Sequence, residues 1–325
     1  MLQLATGFLV SQGIRAAAEL EIADRLADGP KSPEELAQLT GAKADPIHRL
    51  LRALSSIGIF EAQADKYRLT PLAEHLRRDS AESIWPAAMY MCSEVYKVAH
   101  ELPSSVRTGT GNFERVFGMK VFDYLSTNAQ RGAIFDQMMA SFHGPETAAI
   151  VAAYDFSSMA KLIDVGGGNG DVLRAVLKAN PETRAVVFDL PEVIGRAETA
   201  LADDPVIDRL SFEAGDFFQA VPAGGDGYIL RHIIHDWDDD ESVRILQKCR
   251  AAMSPGAKLL VIEEVIPDGD TPSPAKWLDV AFLAAWTGKE RTRGEYDELY
   301  RRAGFALTRV IPTTSAVSIV EGAPV

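Results

Sequence analysis

Cysteine is nearly absent from this sequence. Its 325 residues hold two cysteines, Cys92 and Cys249, far apart and in no C-x-x-C pair. That excludes a disulfide framework or a cysteine metal cluster, and predicts free thiols in a reducing cytoplasm. Positive charge is also short. Lys and Arg number 33 against 46 Asp and Glu, a net charge of −13. A generally basic surface for phosphate backbones is therefore excluded, and no nucleic-acid partner is expected. No apolar run reaches the roughly 18 residues that a membrane helix needs. The first 25 residues lack a basic start, and Glu19 and Glu21 interrupt the apolar stretch behind it, which argues against a secretory signal. There are no repeats and no low-complexity segments. What is present is an ordinary globular balance, 47% hydrophobic and 24% charged, on a chain long enough for two domains.

The pattern changes near residue 160. Before it, most segments read as helix. Ser32-Pro33-Glu34-Glu35 is an N-cap, a proline at N1 and an acidic first turn. Leu36 and Leu39 come next, and Gly41 stops the helix. A second helix after Asp45-Pro46 places Ile47, Leu50, Leu51, Leu54 and Ile57 on one face. Ile59-Phe60-Glu61 and Lys66 to Thr70 read as a small hairpin. Helix, turn, helix and hairpin resemble a winged helix. Residues 1–99 carry 11 basic and 13 acidic side chains, the wrong field for a groove-reading helix. A module that packs against a second subunit is the better reading. Residues 101–155 form a mostly helical bridge rich in methionine and aromatics. Methionine adapts to flat apolar ligands, so Met138, Met139 and Phe142 are candidates for lining a substrate pocket.

After residue 156, β-branched runs alternate with amphipathic stretches, the pattern of an α/β domain with a largely parallel sheet. Lys161 to Val165 is an apolar strand that enters Gly166-Gly167-Gly168-Asn169-Gly170. Glycine serves where backbone must approach a ligand closely. A dinucleotide fingerprint would need its third glycine at position 171, which is Asp171. A second strand ends in Asp189, placed to accept hydrogen bonds from ribose hydroxyls, or else to cap the helix that Pro191 opens. A third leads to Gly215-Asp216-Phe217-Phe218, an acid and rings suited to adenine. A carboxylate-rich pocket of this kind favours a cationic sulfonium over a pyrophosphate. A fourth strand runs into Arg231-His232-Ile233-Ile234-His235-Asp236-Trp237, and a fifth ends in Glu263-Glu264. Strand ends of one sheet edge therefore gather His235 and Glu264 beside Gly166 and Asp189.

These segments, D-V-G-G-G-x-G, F-D-L-P, G-D-F-F, R-H-x-x-H-D-W and G-K-E-R-T, occur in this order and spacing over nearly the whole chain. Together they resemble the S-adenosylmethionine-dependent O-methyltransferases of small molecules, the plant caffeate and flavonoid type and its bacterial counterparts in aromatic secondary metabolism. The resemblance implies a Rossmann-like class I methyltransferase domain over 156–325. It also implies a winged-helix-like, all-helical dimerisation domain over 1–100, hence a homodimer. Gly166 and Gly168 would border the methionine part of the cofactor. Asp189, with Leu190 beside it, would hold the ribose, Asp216 and Phe217 the adenine, and Arg231 would stand where the family often has lysine. His235 matches the general base. Glu264 and Glu290 match two acids that flank and orient it, and Trp237 and Trp286 join the substrate-lining candidates.

The implied chemistry is self-consistent. A phenol has a pKa of about 10 and histidine about 6.5, so proton transfer to a free imidazole is uphill by about 5 kcal/mol. Neighbouring carboxylates stabilise the imidazolium and shrink that gap. No Asp/His cluster reads as a Mg²⁺ site, so no metal is expected. The alternatives are N- or C-methylation, a relative that binds the cofactor without methylating, a DNA-binding regulator and a nicotinamide dehydrogenase. The charge balance disfavours the regulator and Asp171 the dehydrogenase.

Overall fold

In the computed structural model, which describes residues 1–325, Ser32 caps the helix Pro33–Thr40 reciprocally. Its hydroxyl accepts from the Glu35 amide, and the Glu35 carboxylate accepts from the Ser32 amide at 2.6 Å. Gly41 closes the helix in the left-handed region, and the next helix is Ala44–Ser55. The hairpin of β1 (Phe60–Gln63) and β2 (Lys66–Leu69) is antiparallel. Leu36, Ile47, Leu51 and Leu54 share a core with Ile22, Phe60 and Tyr67. Ile57, expected on the apolar face of the second helix, is about half exposed, because the helix ends at Ser55 and the side chain falls beyond the reach of that small core; Leu39, in the last turn of its own helix, is exposed to the same degree. This winged-helix-like module belongs to a unit comprising Met1–Pro103 and Asn112–Phe142. Its first residues, Leu2, Leu4, Phe8, Leu9 and Val10, leave their apolar side chains exposed.

The second unit comprises Ser104–Gly111 and His143–Val325. The boundary after Phe142 falls inside one long helix, Ala129–Ala153. Its sheet is built from β3 (Lys161–Val165), β4 (Arg184–Asp189), β5 (Leu210–Ala214), β6 (Gly227–Arg231) and β7 (Lys258–Glu263). The short β8 (Val265–Ile266) and β9 (Arg291–Thr292) pair separately, and β10 (Phe305–Pro312) and β11 (Ser318–Pro324) complete the main sheet. The order is β10-β11-β7-β6-β3-β4-β5. Strands β3 to β7 are parallel, whereas β11 runs antiparallel to both β7 and β10. The central strands read as unbroken apolar runs because separate clusters bury each face, one around Leu162 and Leu173 and the other around Ile163 and Tyr228. The chain leaves β3 toward β4 and β5, then returns to the other side of β3 as β6. That reversal opens a crevice at the carboxyl ends of β3 and β6, where open α/β sheets bind ligands.

Candidate active site

The glycine turn after β3 lies on this crevice. Gly166 and Gly167 both donate to the Phe188 carbonyl, at 2.8 and 3.2 Å, which ties the turn to the end of β4. Gly168 sits at φ +57° with open space where a side chain would project. Its amide donates to Asp189 Oδ2 at 2.9 Å, and the Leu190 amide donates to Oδ1 at 2.7 Å. Asp189 thus serves the turn, and the helix Pro191–Leu201 has no side-chain cap, which settles against the capping alternative. Each Asp189 oxygen keeps a free lone pair for a hydroxyl. Asp216, exposed, accepts from the Phe218 amide at 2.8 Å. Phe217 and Phe218 pack with Trp237, whose ring stands edge-on to both at centroid distances of 6.0 and 4.7 Å. Trp237 therefore sits with the rings after β5.

His235 lies in a single 3₁₀ turn, Ile234–Asp236, just past β6. Its side chain is 12% exposed, and Nδ1 lies 2.8 Å from Glu290 Oε1, an acid almost wholly buried. Burial works against the charged imidazole, but the Glu290 hydrogen bond and the charges of Asp236, Glu263 and Glu290 outweigh it. The His235 pKa is raised to about 10. Two residues that hold this arrangement stand in segments noted in the sequence, but no role is assigned to them there. Glu263, fully buried, accepts from the amides of Ile234 and His235 at 2.7 and 3.1 Å and from the Tyr296 hydroxyl. Arg291, also fully buried, donates to the carbonyls of Ile234 and Trp237 at 3.1 and 2.9 Å and to Asp239. The histidine turn is thus gripped from both sides. Gly288 lies against it so closely that a Cβ would fall on the His235 carbonyl oxygen. Glu263, rather than Glu264, is the strand-end acid that binds this turn. Glu264 is only partly buried.

One wall beside His235 is aromatic. Phe282 lies 5.0 Å from the imidazole, and Trp286 lies 5.2 Å from Phe282. Another wall is polar. Glu146 receives Arg231 at 2.7 Å and His232 at 2.9 Å, while Arg231 also donates to the His143 carbonyl and Thr147. These partners outweigh the cost of burial and hold Glu146 down at about 2. Arg231 spends its terminal nitrogens on the helix Ala129–Ala153. Its Nε is buried without a partner. His143, Glu146 and His232 offer donor atoms within 4.8 Å of one another. As an ion site this is poor, since a guanidinium already occupies the carboxylate and the two imidazoles are stacked at 4.7 Å. Met138, Met139 and Phe142 belong to the first unit, where Met138 is buried, Met139 partly so and Phe142 exposed.

A sheet of this order, with its glycine turn and strand-end acids on one edge, defines a Rossmann-like class I methyltransferase. Comparison with known proteins agrees. The model of the O-methyltransferase domain matches residues 99–306, and that of the O-methyltransferase dimerisation domain matches residues 2–79. A phenazine O-methyltransferase from Lysobacter antibioticus is 43% identical over 100% of this chain and 96% of that one. A phenazine-1-carboxylate N-methyltransferase from Pseudomonas aeruginosa is 34% identical, covering 96% and 92%. The crystal structure of an O-methyltransferase from neocarzinostatin biosynthesis, in complex with S-adenosylmethionine and 2-hydroxy-5-methyl naphthoic acid, matches with a TM-score of 0.86 at 33% identity, covering 100% and 99%. The chain belongs to the S-adenosylmethionine-dependent O-methyltransferase family, and its N-terminal module is the family's dimerisation domain, which makes the protein a homodimer. S-adenosylmethionine is its cofactor.

The residues fit that group. Besides the open face at Gly168 and the spare lone pairs of Asp189, Asp164 lies wholly buried under the turn with Oδ1 unpartnered. Burial, reinforced by the charge of Asp189 and opposed by Arg231, raises its pKa to about 7. An acid in that position suits a cationic donor. No helix is long and apolar enough to cross a membrane.

Proposed function

We propose that the protein methylates a hydroxyl group of a planar aromatic small molecule in secondary metabolism, in the cytoplasm, with His235 as general base and Glu290 as the acid that orients it. The observation that carries this reading is the 2.8 Å contact between His235 Nδ1 and the buried Glu290 carboxylate, on the same sheet edge as the glycine turn. With Nδ1 committed, Nε2 is the nitrogen left for the substrate. Its nearest acid, Asp236, stands at 3.7 Å, beyond a hydrogen bond. S-adenosylmethionine supplies, when bound, an electrophilic methyl group on a sulfonium. Asp189 and Asp216 would hold the nucleoside and Asp164 a cationic group, while Phe282 and Trp286, their rings inclined at 49° to each other, offer an apolar surface to an aromatic ring.

The proton balance depends on the environment of His235. A phenol whose pKa is about 10 meets an imidazole whose pKa is about 10, so the transfer is close to neutral in free energy. The resting imidazole is charged at neutral pH. One proton must therefore leave to solvent before Nε2 can accept another, and turnover should rise with pH. Removal of a proton is what an oxygen acceptor needs and a neutral amine does not, which favours oxygen over nitrogen as the acceptor. The test is a panel of naphthols, catechols, aromatic amines and phenazines with methyl-labelled cofactor. Label on oxygen supports the assignment. Label found only on nitrogen overturns it.

A further inference from the structure

The Glu290 carboxylate has a single partner. Oε1 takes the His235 Nδ1 contact, while Oε2 is buried and bonded to nothing. Apart from the histidine itself, no side chain or amide fixes the direction of this carboxylate. Its placement must therefore come from the backbone that carries it. There the Glu290 amide donates to Asp279 Oδ1 at 3.0 Å, a contact that spans eleven residues of chain. Asp279 lies in the helix Pro274–Ala285, less than one turn before Phe282, whose ring stands 5.0 Å from the imidazole. One helix thus offers an aromatic wall to the base and an acceptor to the acid behind it. Gly288, two residues before Glu290, lies against the His235 carbonyl, so a shift of this segment would reach the histidine turn as well.

We propose that Asp279 is a positioning residue for the methyl transfer, which sets where the Glu290 carboxylate meets His235 by accepting a hydrogen bond from the Glu290 amide. This rests on the reading of His235 as general base. Asp279 makes no hydrogen bond to His235, so its action runs through Glu290. Two carboxylates repel, so it is the acceptor oxygen of Asp279, not its charge, that serves Glu290. The amide oxygen of an asparagine would accept the same bond. Hydrogen bonds weaken steeply as their length and angle open, and a carboxylate held at one oxygen has no second bond to fall back on. A displacement of about 1 Å at such a site can cost about a hundredfold in rate. Of the acids whose charge raises the His235 pKa, which are Asp236, Glu263 and Glu290, only Glu290 is bonded to Asp279. Loss of the tie therefore lowers the basicity of the imidazole in part and leaves the rest in place.

The experiment compares the wild-type homodimer with Asp279→Ala, Asp279→Ser and Asp279→Asn. Serine stays polar but is too short to reach the amide, so it carries the comparison should alanine fail to fold. Two readouts are taken. One is kcat and KM on a naphthol or catechol, whichever the wild type methylates fastest. The other is the His235 titration midpoint by NMR, without substrate. In Asp279→Ala and Asp279→Ser, kcat should fall by about tenfold or more with KM within about twofold, and the midpoint should drop by about one unit. Asp279→Asn should restore both, with kcat within about threefold of wild type. An unchanged midpoint and kcat in the alanine and serine variants, even with a lowered melting temperature, would make the contact a structural tie and overturn the proposal. Losses in Asp279→Asn equal to those in Asp279→Ala would assign the effect to charge and overturn it too. If His235→Gln keeps full activity, the general-base reading is what fails, and the midpoints still decide whether Asp279 places Glu290.

Discussion

Replacing Glu290 by glutamine removes one charge and keeps the shape, which makes it the sharpest perturbation of the proposed base. The Glu290 side chain is 1% exposed and His235 12%, so solvent screens their contact weakly. His235 stands about 3.5 units above an ordinary imidazole, equivalent to roughly 5 kcal/mol of preference for the charged ring. Glu290 contributes to this twice, through its hydrogen bond and its charge, and burial opposes it. The His235 pKa in Glu290→Gln should therefore fall by well over one unit. Stability responds in a definite direction. A histidine with a raised folded-state pKa stabilises the fold fully below about pH 6.5, and that stabilisation fades as pH rises through about 10. The wild type should thus exceed Glu290→Gln in melting temperature at pH 6, and the gap should narrow at alkaline pH. The assay is an NMR titration of ¹³C-histidine-labelled protein without substrate, with His235 assigned by His235→Gln. A midpoint that stays the same in wild type and Glu290→Gln would refute the reasoning, because the ring would then owe nothing to this carboxylate.

The same geometry sets two further outcomes. Asp189→Ala should weaken S-adenosylhomocysteine binding by about 1.5–3 kcal/mol in calorimetry, since a charged hydrogen-bond partner is lost, and affinity equal to wild type would remove Asp189 from the nucleoside site. Arg291→Met should cost about 3–5 kcal/mol in denaturant unfolding, because it strips a buried cation from Asp239 and from the carbonyls of Ile234 and Trp237; a cost under about 1 kcal/mol would show that the turn holds its shape without the clamp.

Features set by local chemistry were legible in the sequence. The Ser32 and Glu35 cap, the stop at Gly41, the glycine turn after an apolar strand and the strand-end placement of Asp189 and His235 each depend on a few consecutive residues. The pairing of His235 with Glu290 rests on resemblance in the sequence, and the structure gives it a distance. Glu263 and Glu264 show where sequence reasoning runs out. Side chains alternate along a strand, and at the strand's last residue a shift of one decides which acid faces the histidine turn. Glu146 and Phe282 were invisible, and Arg291 stood in a quoted segment without a role, for a related reason. Each lies on a different helix or strand from His235, and only tertiary packing brings them to it. Asp189 was ambiguous between cap and ligand because the residues before a helix satisfy both patterns, and the Gly168 contact together with the uncapped helix removes the capping role.

The central claim is that His235 takes the substrate proton. The most direct measurement is single-turnover methyl transfer by wild type and His235→Gln on two hydroxyarenes of matched shape, one with an ordinary phenol pKa and one acidified by a nitro group. General-base catalysis contributes about 10²–10⁴-fold, so His235→Gln should lose a factor of that order on the ordinary phenol and far less on the acidified one, with cofactor affinity near that of wild type. Equal losses on both substrates would assign His235 a positional role, and full activity of His235→Gln on the ordinary phenol would contradict the mechanism outright.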